Sequence, residues 1–92
     1  MNTESVNCRK VEFGKMERVG DFCFAEDLTW LYMWTPGANG PDAIRIVRTE
    51  AEARKSDRRW IWDGNEQAPT LLPSLLTPEW HGYFRAGRME SC

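Results

Sequence analysis

The sequence predicts an α+β domain, a small twisted antiparallel β-sheet with one short helix. Three observations carry that expectation. Short runs of aromatic and β-branched residues recur along the chain, and these residue types fit a pleated, half-buried surface. Clusters of Gly, Pro and Asn lie between the runs, supplying the positive or fixed φ that turns require. The segment Thr49-Glu50-Ala51-Glu52 is a capping box, in which Thr49 caps a first helical turn and Glu52 reaches back to its amide.

Residues 1 to 8 are polar and expected to be loose. Val11 to Phe13 and Asp21 to Ala25 follow as short strands, separated at Gly20. Leu28 to Trp34 is the next strand, with Leu28, Trp30, Tyr32 and Trp34 on one face and Thr29, Leu31 and Met33 on the other. Both faces are largely apolar under the two-residue period of a strand, so it belongs near the middle of the sheet. Thr35 to Asp42 is dense in turn residues and reverses the chain into Ala43 to Arg48, where Ile44 and Ile46 face inward. The capped helix should extend through about Ser56, held by tertiary contacts because short helices are marginal alone. Arg58 to Trp62 resumes a strand, and Asp63-Gly64-Asn65 turns the chain. Prolines at 69, 73 and 78 forbid a regular helix through Pro69 to Pro78, so this stretch runs extended at an edge with its leucines over the core. Trp80 to Arg85 and Arg88 to Ser91 flank Ala86-Gly87 as a tight hairpin.

Ninety-two residues make one domain spanning 1–92, and a chain of this size buries only about two-thirds of its unfolded surface. A large internal substrate cavity would remove core, so function is expected at the surface. The longest apolar stretch, Leu28 to Trp34, is far short of the ~20 residues needed to cross a bilayer. The opening segment has neither a basic nor an apolar signal region, so a cytoplasmic chain is expected. Cys8, Cys23 and Cys92 are an odd number with no close spacing, which fits neither a disulfide framework nor a zinc site. No metal or other cofactor is expected.

The single histidine, His81, sits between Trp80 and Gly82, with no acid, Ser or Cys at a recognisable motif spacing. A structural role is expected for it. The acid pairs Glu26-Asp27 and Asp63/Glu66 fall at strand ends and turns, where solvated carboxylates are common, and no glycine pattern matches a phosphate loop. On these grounds the chain is expected to bind rather than catalyse, with no catalytic residues and no small-molecule substrate.

Net charge is −2, yet six of the twelve basic residues fall within positions 45–59. Arg48, Arg54, Lys55, Arg58 and Arg59 are therefore candidates for contact with a protein partner or nucleic acid, with Trp60 as a stacking surface. Ion pairs of Glu50 with Arg54 and Glu52 with Lys55 would neutralise part of that field. Glu26 and Asp27 are the corresponding candidates on an acidic face. Five Trp in so short a chain can fill a core or anchor an interface.

The block Trp60-Ile61-Trp62-Asp63-Gly64-Asn65, then Pro69-Thr70 and Pro73-Ser74-Leu75-Leu76, then Trp80-His81-Gly82-Tyr83-Phe84 with Gly87, resembles a family of small phage and prophage proteins. Relatives often carry a Trp-Cys-Pro-Gly-Cys element suited to a metal. The equivalent stretch here, Trp34-Thr35-Pro36-Gly37-Ala38-Asn39, has no cysteine. The whole chain also resembles phage-encoded anti-CRISPR proteins directed against the type I-F surveillance complex. That resemblance implies a monomeric, non-enzymatic inhibitor in the host cytoplasm that blocks target DNA binding, with Cas proteins and the CRISPR RNA as partners. The alternatives are a phage accessory or structural protein with another partner, and a small nucleic-acid-binding module.

Overall fold

The computed structural model describes residues 5–56 and 58–92. Among the described residues ten strands and one short helix follow one another as β1 (Ser5–Asn7), β2 (Arg9–Lys10), β3 (Asp21–Phe24), β4 (Trp30–Met33), β5 (Asp42–Val47), α1 (Glu50–Ala53), β6 (Arg59–Trp62), β7 (Leu71–Leu72), β8 (Leu75–Leu76), β9 (His81–Arg85) and β10 (Arg88–Ser91). A six-stranded sheet has the order β2-β3-β4-β5-β6-β7, and a four-stranded sheet the order β1-β10-β9-β8. The expected class, a β-rich domain with one short helix, is the observed one. Most pairings are antiparallel, while β2/β3 and β5/β6 are parallel. The second parallel pair follows from α1, which carries the chain back to the starting end of β5.

Alternation sets what each strand buries. Leu31 and Met33 of β4, and Ile44 and Ile46 of β5, join Phe22, Trp62 and Leu71 in one apolar cluster. Leu75, Trp80, Phe84 and Met89 from the four-stranded sheet complete it, and the rings of Phe22 and Phe84 meet edge-on at 5.7 Å across the two sheets. Each fully buried large side chain contributes about 1.5 to 3 kcal/mol, so the inner faces hold the sheets together. The Thr49 hydroxyl accepts from the Glu52 amide at 3.2 Å, as a capping box requires, and Arg54 pairs with Glu50 at 3.5 Å. The Glu52 carboxylate accepts from the amide of Arg48 rather than that of Thr49.

Several local expectations shift. The loose stretch expected over 1–8 instead contributes β1, which pairs with β10 in the register Ser5↔Glu90; residues 1–4 lie outside the described residues. The strand expected at Val11 to Phe13 is replaced by β2. Val11 donates one further bond to Phe22 at 2.9 Å before a turn closes between Glu12 and Lys15, leaving Phe13 75% exposed. Leu28 stands at φ 61° in the turn before β4 rather than within the strand.

One buried charge anchors the start of the larger sheet. Asp21 is 0% exposed and takes two bonds from the Arg9 guanidinium, at 2.9 and 2.7 Å. The amides of Glu17 and Arg18 add bonds at 2.9 and 3.3 Å. The Arg9 hydrogen bonds foremost, opposed by burial, hold the Asp21 carboxyl below its ordinary range. The folded value thus lies below the unfolded one of about 3.9. The stability Asp21 contributes is fully present above that pH and is lost as pH falls through the folded value. Urea unfolding at pH 7 and pH 3 should show wild type losing more stability on acidification than Asp21→Asn. Equal losses in the two proteins would remove Asp21 as a source of acid lability.

Candidate active site

The chain leaves the six-stranded sheet after β7, passes Pro73 and Ser74, and enters the four-stranded sheet as β8. Alternation turns Leu75 into the core and leaves Ser74 and Leu76 on the outer side. On β9 the same rule buries Gly82 and Phe84 and turns His81, Tyr83 and Arg85 outward. The connection between the strands is fixed at Thr77, whose amide donates to the Trp80 carbonyl at 2.8 Å. The Thr77 hydroxyl accepts from the Trp80 amide at 3.0 Å. The Trp80 indole donates to the Ser91 hydroxyl at 2.9 Å, pinning the base of β9 to β10. The register Leu75↔Gly82 and Leu76↔His81 then brings Ser74 Oγ within 3.0 Å of His81 Nε2.

A hydroxyl on Nε2 of an imidazole is the arrangement from which a base takes the serine proton, with the neutral ring carrying its own hydrogen on Nδ1. The serine is held from behind as well, because the Trp60 indole donates to the Ser74 carbonyl at 3.1 Å. The residues that follow Ser74 on β8, Leu75 and Leu76, line a groove of about 490 Å³ together with Trp30, Arg45, Arg58, Arg59 and Trp60, while Ser74 and His81 themselves lie outside that lining. Among the described residues no carboxylate bonds the His81 ring. Glu90, opposite Tyr83, is paired instead with Arg85 at 3.2 Å.

The thiols of Cys8 and Cys23 are poorly placed for the same chemistry. Burial pushes the Cys8 thiol up to about 12, and burial also raises Cys23, so neither supplies much thiolate near neutrality. Among the described residues no three His, Cys, Asp or Glu side chains gather as a metal site. No helix of the described residues is long and apolar enough to cross a membrane.

The seven residues expected from charge to contact a partner do not form one patch. Arg58 and Arg59 line the groove, and Arg59 also donates to the Glu52 carbonyl at 3.1 Å. Arg48 lies over the Trp62 ring, 5.5 Å from its centroid. Arg54 and Lys55 follow α1 and are exposed, Arg54 in its pair with Glu50. Glu26 and Asp27 occupy the β3–β4 turn, where Asp27 accepts from the Thr29 hydroxyl and amide at 2.7 and 3.1 Å. Those bonds, the hydroxyl's first, draw the Asp27 carboxyl below its usual range. Ser74 and His81 were not expected as partners, because seven positions apart is no recognised motif. Both nevertheless lie inside the tryptophan-rich block.

The site thus brings together an exposed imidazole and a serine hydroxyl on a β-scaffold, the two group types that nucleophilic acyl transfer uses. A family model matches residues 9–92, and the chain belongs to that family, BubE, described as the bacterial ubiquitination-like system serine protease. No curated protein and no solved structure gives a significant match. Membership overturns two expectations. The chain was expected to be non-enzymatic, whereas its family is one of serine proteases. It was expected to inhibit a CRISPR surveillance complex on behalf of a phage, whereas the family is assigned to a bacterial ubiquitination-like system. The Cas proteins and CRISPR RNA expected as partners rested on that resemblance and have no support in the structure.

Proposed function

We propose that the chain is a serine protease of a bacterial ubiquitination-like system, with Ser74 as nucleophile and His81 as general base and acid. The observation that carries this reading is the 3.0 Å contact between Ser74 Oγ and His81 Nε2, and the family description supports it. Ser74 Oγ attacks the carbonyl carbon of the scissile amide while its proton moves to His81 Nε2. The tetrahedral adduct collapses as His81 returns that proton to the departing amine, leaving the acyl group esterified to Ser74. Water then attacks the ester, His81 taking its proton and passing it to Ser74 Oγ as the carboxylic acid leaves, which restores both residues. Three cysteines without a disulfide suit a reducing compartment, and the bacterial cytoplasm is the proposed site of action.

A fluorophosphonate probe tests the nucleophile without knowledge of the substrate, since it phosphonylates an activated serine. Peptide mass spectrometry should place the adduct on Ser74 and on neither Ser56 nor Ser91. Ser74→Ala should lose labelling altogether. Labelling unchanged in Ser74→Ala would overturn the assignment.

A further inference from the structure

The groove that begins at Leu75 takes in a strand edge that no other strand of the described residues covers. β8 ends its sheet, and the pattern of its pairing with β9 fixes which groups point outward. Thr77 and Trp80 exchange both backbone bonds, at 2.8 and 3.4 Å. Because bonded and non-bonded pairs alternate in an antiparallel ladder, Leu75 and Gly82 form the next bonded pair, while Leu76 and His81 do not bond to each other. The His81 carbonyl agrees, since it faces β10 and accepts from the Cys92 amide at 3.1 Å. The amide and carbonyl of Leu76 therefore point away from β9, towards the groove. Ser74 has the same orientation, and its carbonyl is already taken by the Trp60 indole.

The rest of the lining has a marked chemistry. Among the described residues, Arg45, Arg58 and Arg59 share the lining with one acid, Asp42, and with Trp30 and Trp60, Arg45 lying over the Trp30 ring at 5.6 Å from its centroid. Arg45 Nε and Asp42 Oδ2 are buried without hydrogen-bond partners, a donor and an acceptor whose desolvation is uncompensated. The open strand edge and the preponderance of arginine among the described lining residues point to one ligand chemistry. We infer that the groove binds an extended peptide carrying acidic side chains, which pairs with Leu76 as an added strand on β8. This inference rests on the hydrolase reading of Ser74 and His81, and it names the substrate class that reading leaves open. A strand laid on β8 runs past Ser74, which delivers its backbone carbonyls to the nucleophile. The arginines then select acidic residues on one face of the peptide.

Two fluorescein-labelled octapeptide amides, one of alternating Ala and Glu and one of alternating Ala and Gln, test the inference by fluorescence anisotropy. Alternation places every Glu on one face of a strand whatever its register. Measured on Ser74→Ala protein to prevent turnover, the Glu peptide should bind at least about tenfold more tightly than the Gln peptide, by its charge complementarity. Arg58→Gln combined with Arg59→Gln should abolish most of that preference. Leu76→Pro removes the outward amide without removing a bond to β9, and it should weaken both peptides by a larger factor than Leu76→Ala, which trims the side chain and keeps the amide. Equal affinity for the two peptides, or full affinity in a folded Leu76→Pro protein, overturns the inference. Its failure is separable from that of the hydrolase reading, because wild-type protein whose Ser74 resists fluorophosphonate refutes the latter whatever the peptides do.

Discussion

Replacing His81 with glutamine should lower hydrolytic turnover by at least about a thousandfold, the scale of loss when one member of a nucleophile–base unit is removed. Glutamine keeps a polar group near Ser74 but cannot take the hydroxyl proton. His81 is exposed, and exposed substitutions usually change stability by less than about 0.5 kcal/mol. The melting temperature should therefore hold while fluorophosphonate labelling of Ser74 falls with turnover. The double variant Ser74→Ala/His81→Gln should be no worse than the worse single variant, because the two residues act in one step. Turnover within tenfold of wild type in His81→Gln would show that another group accepts the proton.

The neighbouring glycine should be as intolerant, for a different reason. A methyl group at Gly82 would collide with the Trp80 ring and with the carbonyl oxygen of Glu90. The ring cannot swing aside freely, being buried and bound through its indole to Ser91. The carbonyl belongs to the adjoining strand. Overpacking usually costs about 1 to 3 kcal/mol when side chains can yield, and here the obstacle includes backbone. Gly82→Ala should therefore cost about 3 kcal/mol or more. That corresponds to roughly 12 to 24 °C of melting temperature for a chain of this size. A melting curve within 2 °C of wild type would show that β9 and β10 separate more readily than their packing implies.

These two residues show which part of the site was legible in the sequence. Applied to Leu71–Leu76 and Trp80–Phe84, strand alternation turns Leu71, Leu75, Trp80 and Phe84 inward, and so places Ser74 and His81 together on the outer side. What alternation cannot supply is the register, and one step of slippage would send His81 inward. The register is set by the Thr77 turn and by the Trp80 ring lying against Gly82, contacts that need the assembled sheet. The capping box at Thr49, the hairpin at Ala86-Gly87 and the inward Ile44 and Ile46 were readable because each signal is local. β2 was not, since Arg9 and Lys10 have no strand-like pattern and are recruited by parallel pairing with β3. The basic cluster was legible as charge alone. Its division between groove and helix end depends on α1 stopping at Ala53 and on Arg58 turning the chain at φ 63°.

The pairing of β1 with β10 bears on the order in which the chain takes shape during synthesis. Ser5 and Arg88 are 83 positions apart, yet the Arg88 guanidinium donates to the Ser5 hydroxyl at 3.2 Å. Contacts this remote in sequence form late, because the intervening chain must first be brought into place. A ribosome-bound chain that has not yet released Arg88 holds His81 on a strand with one side still open, and β1 has nothing to pair with. By that ordering the sheet that carries His81 closes last, and the Ser74–His81 contact gains its rigid support only when synthesis has passed β10.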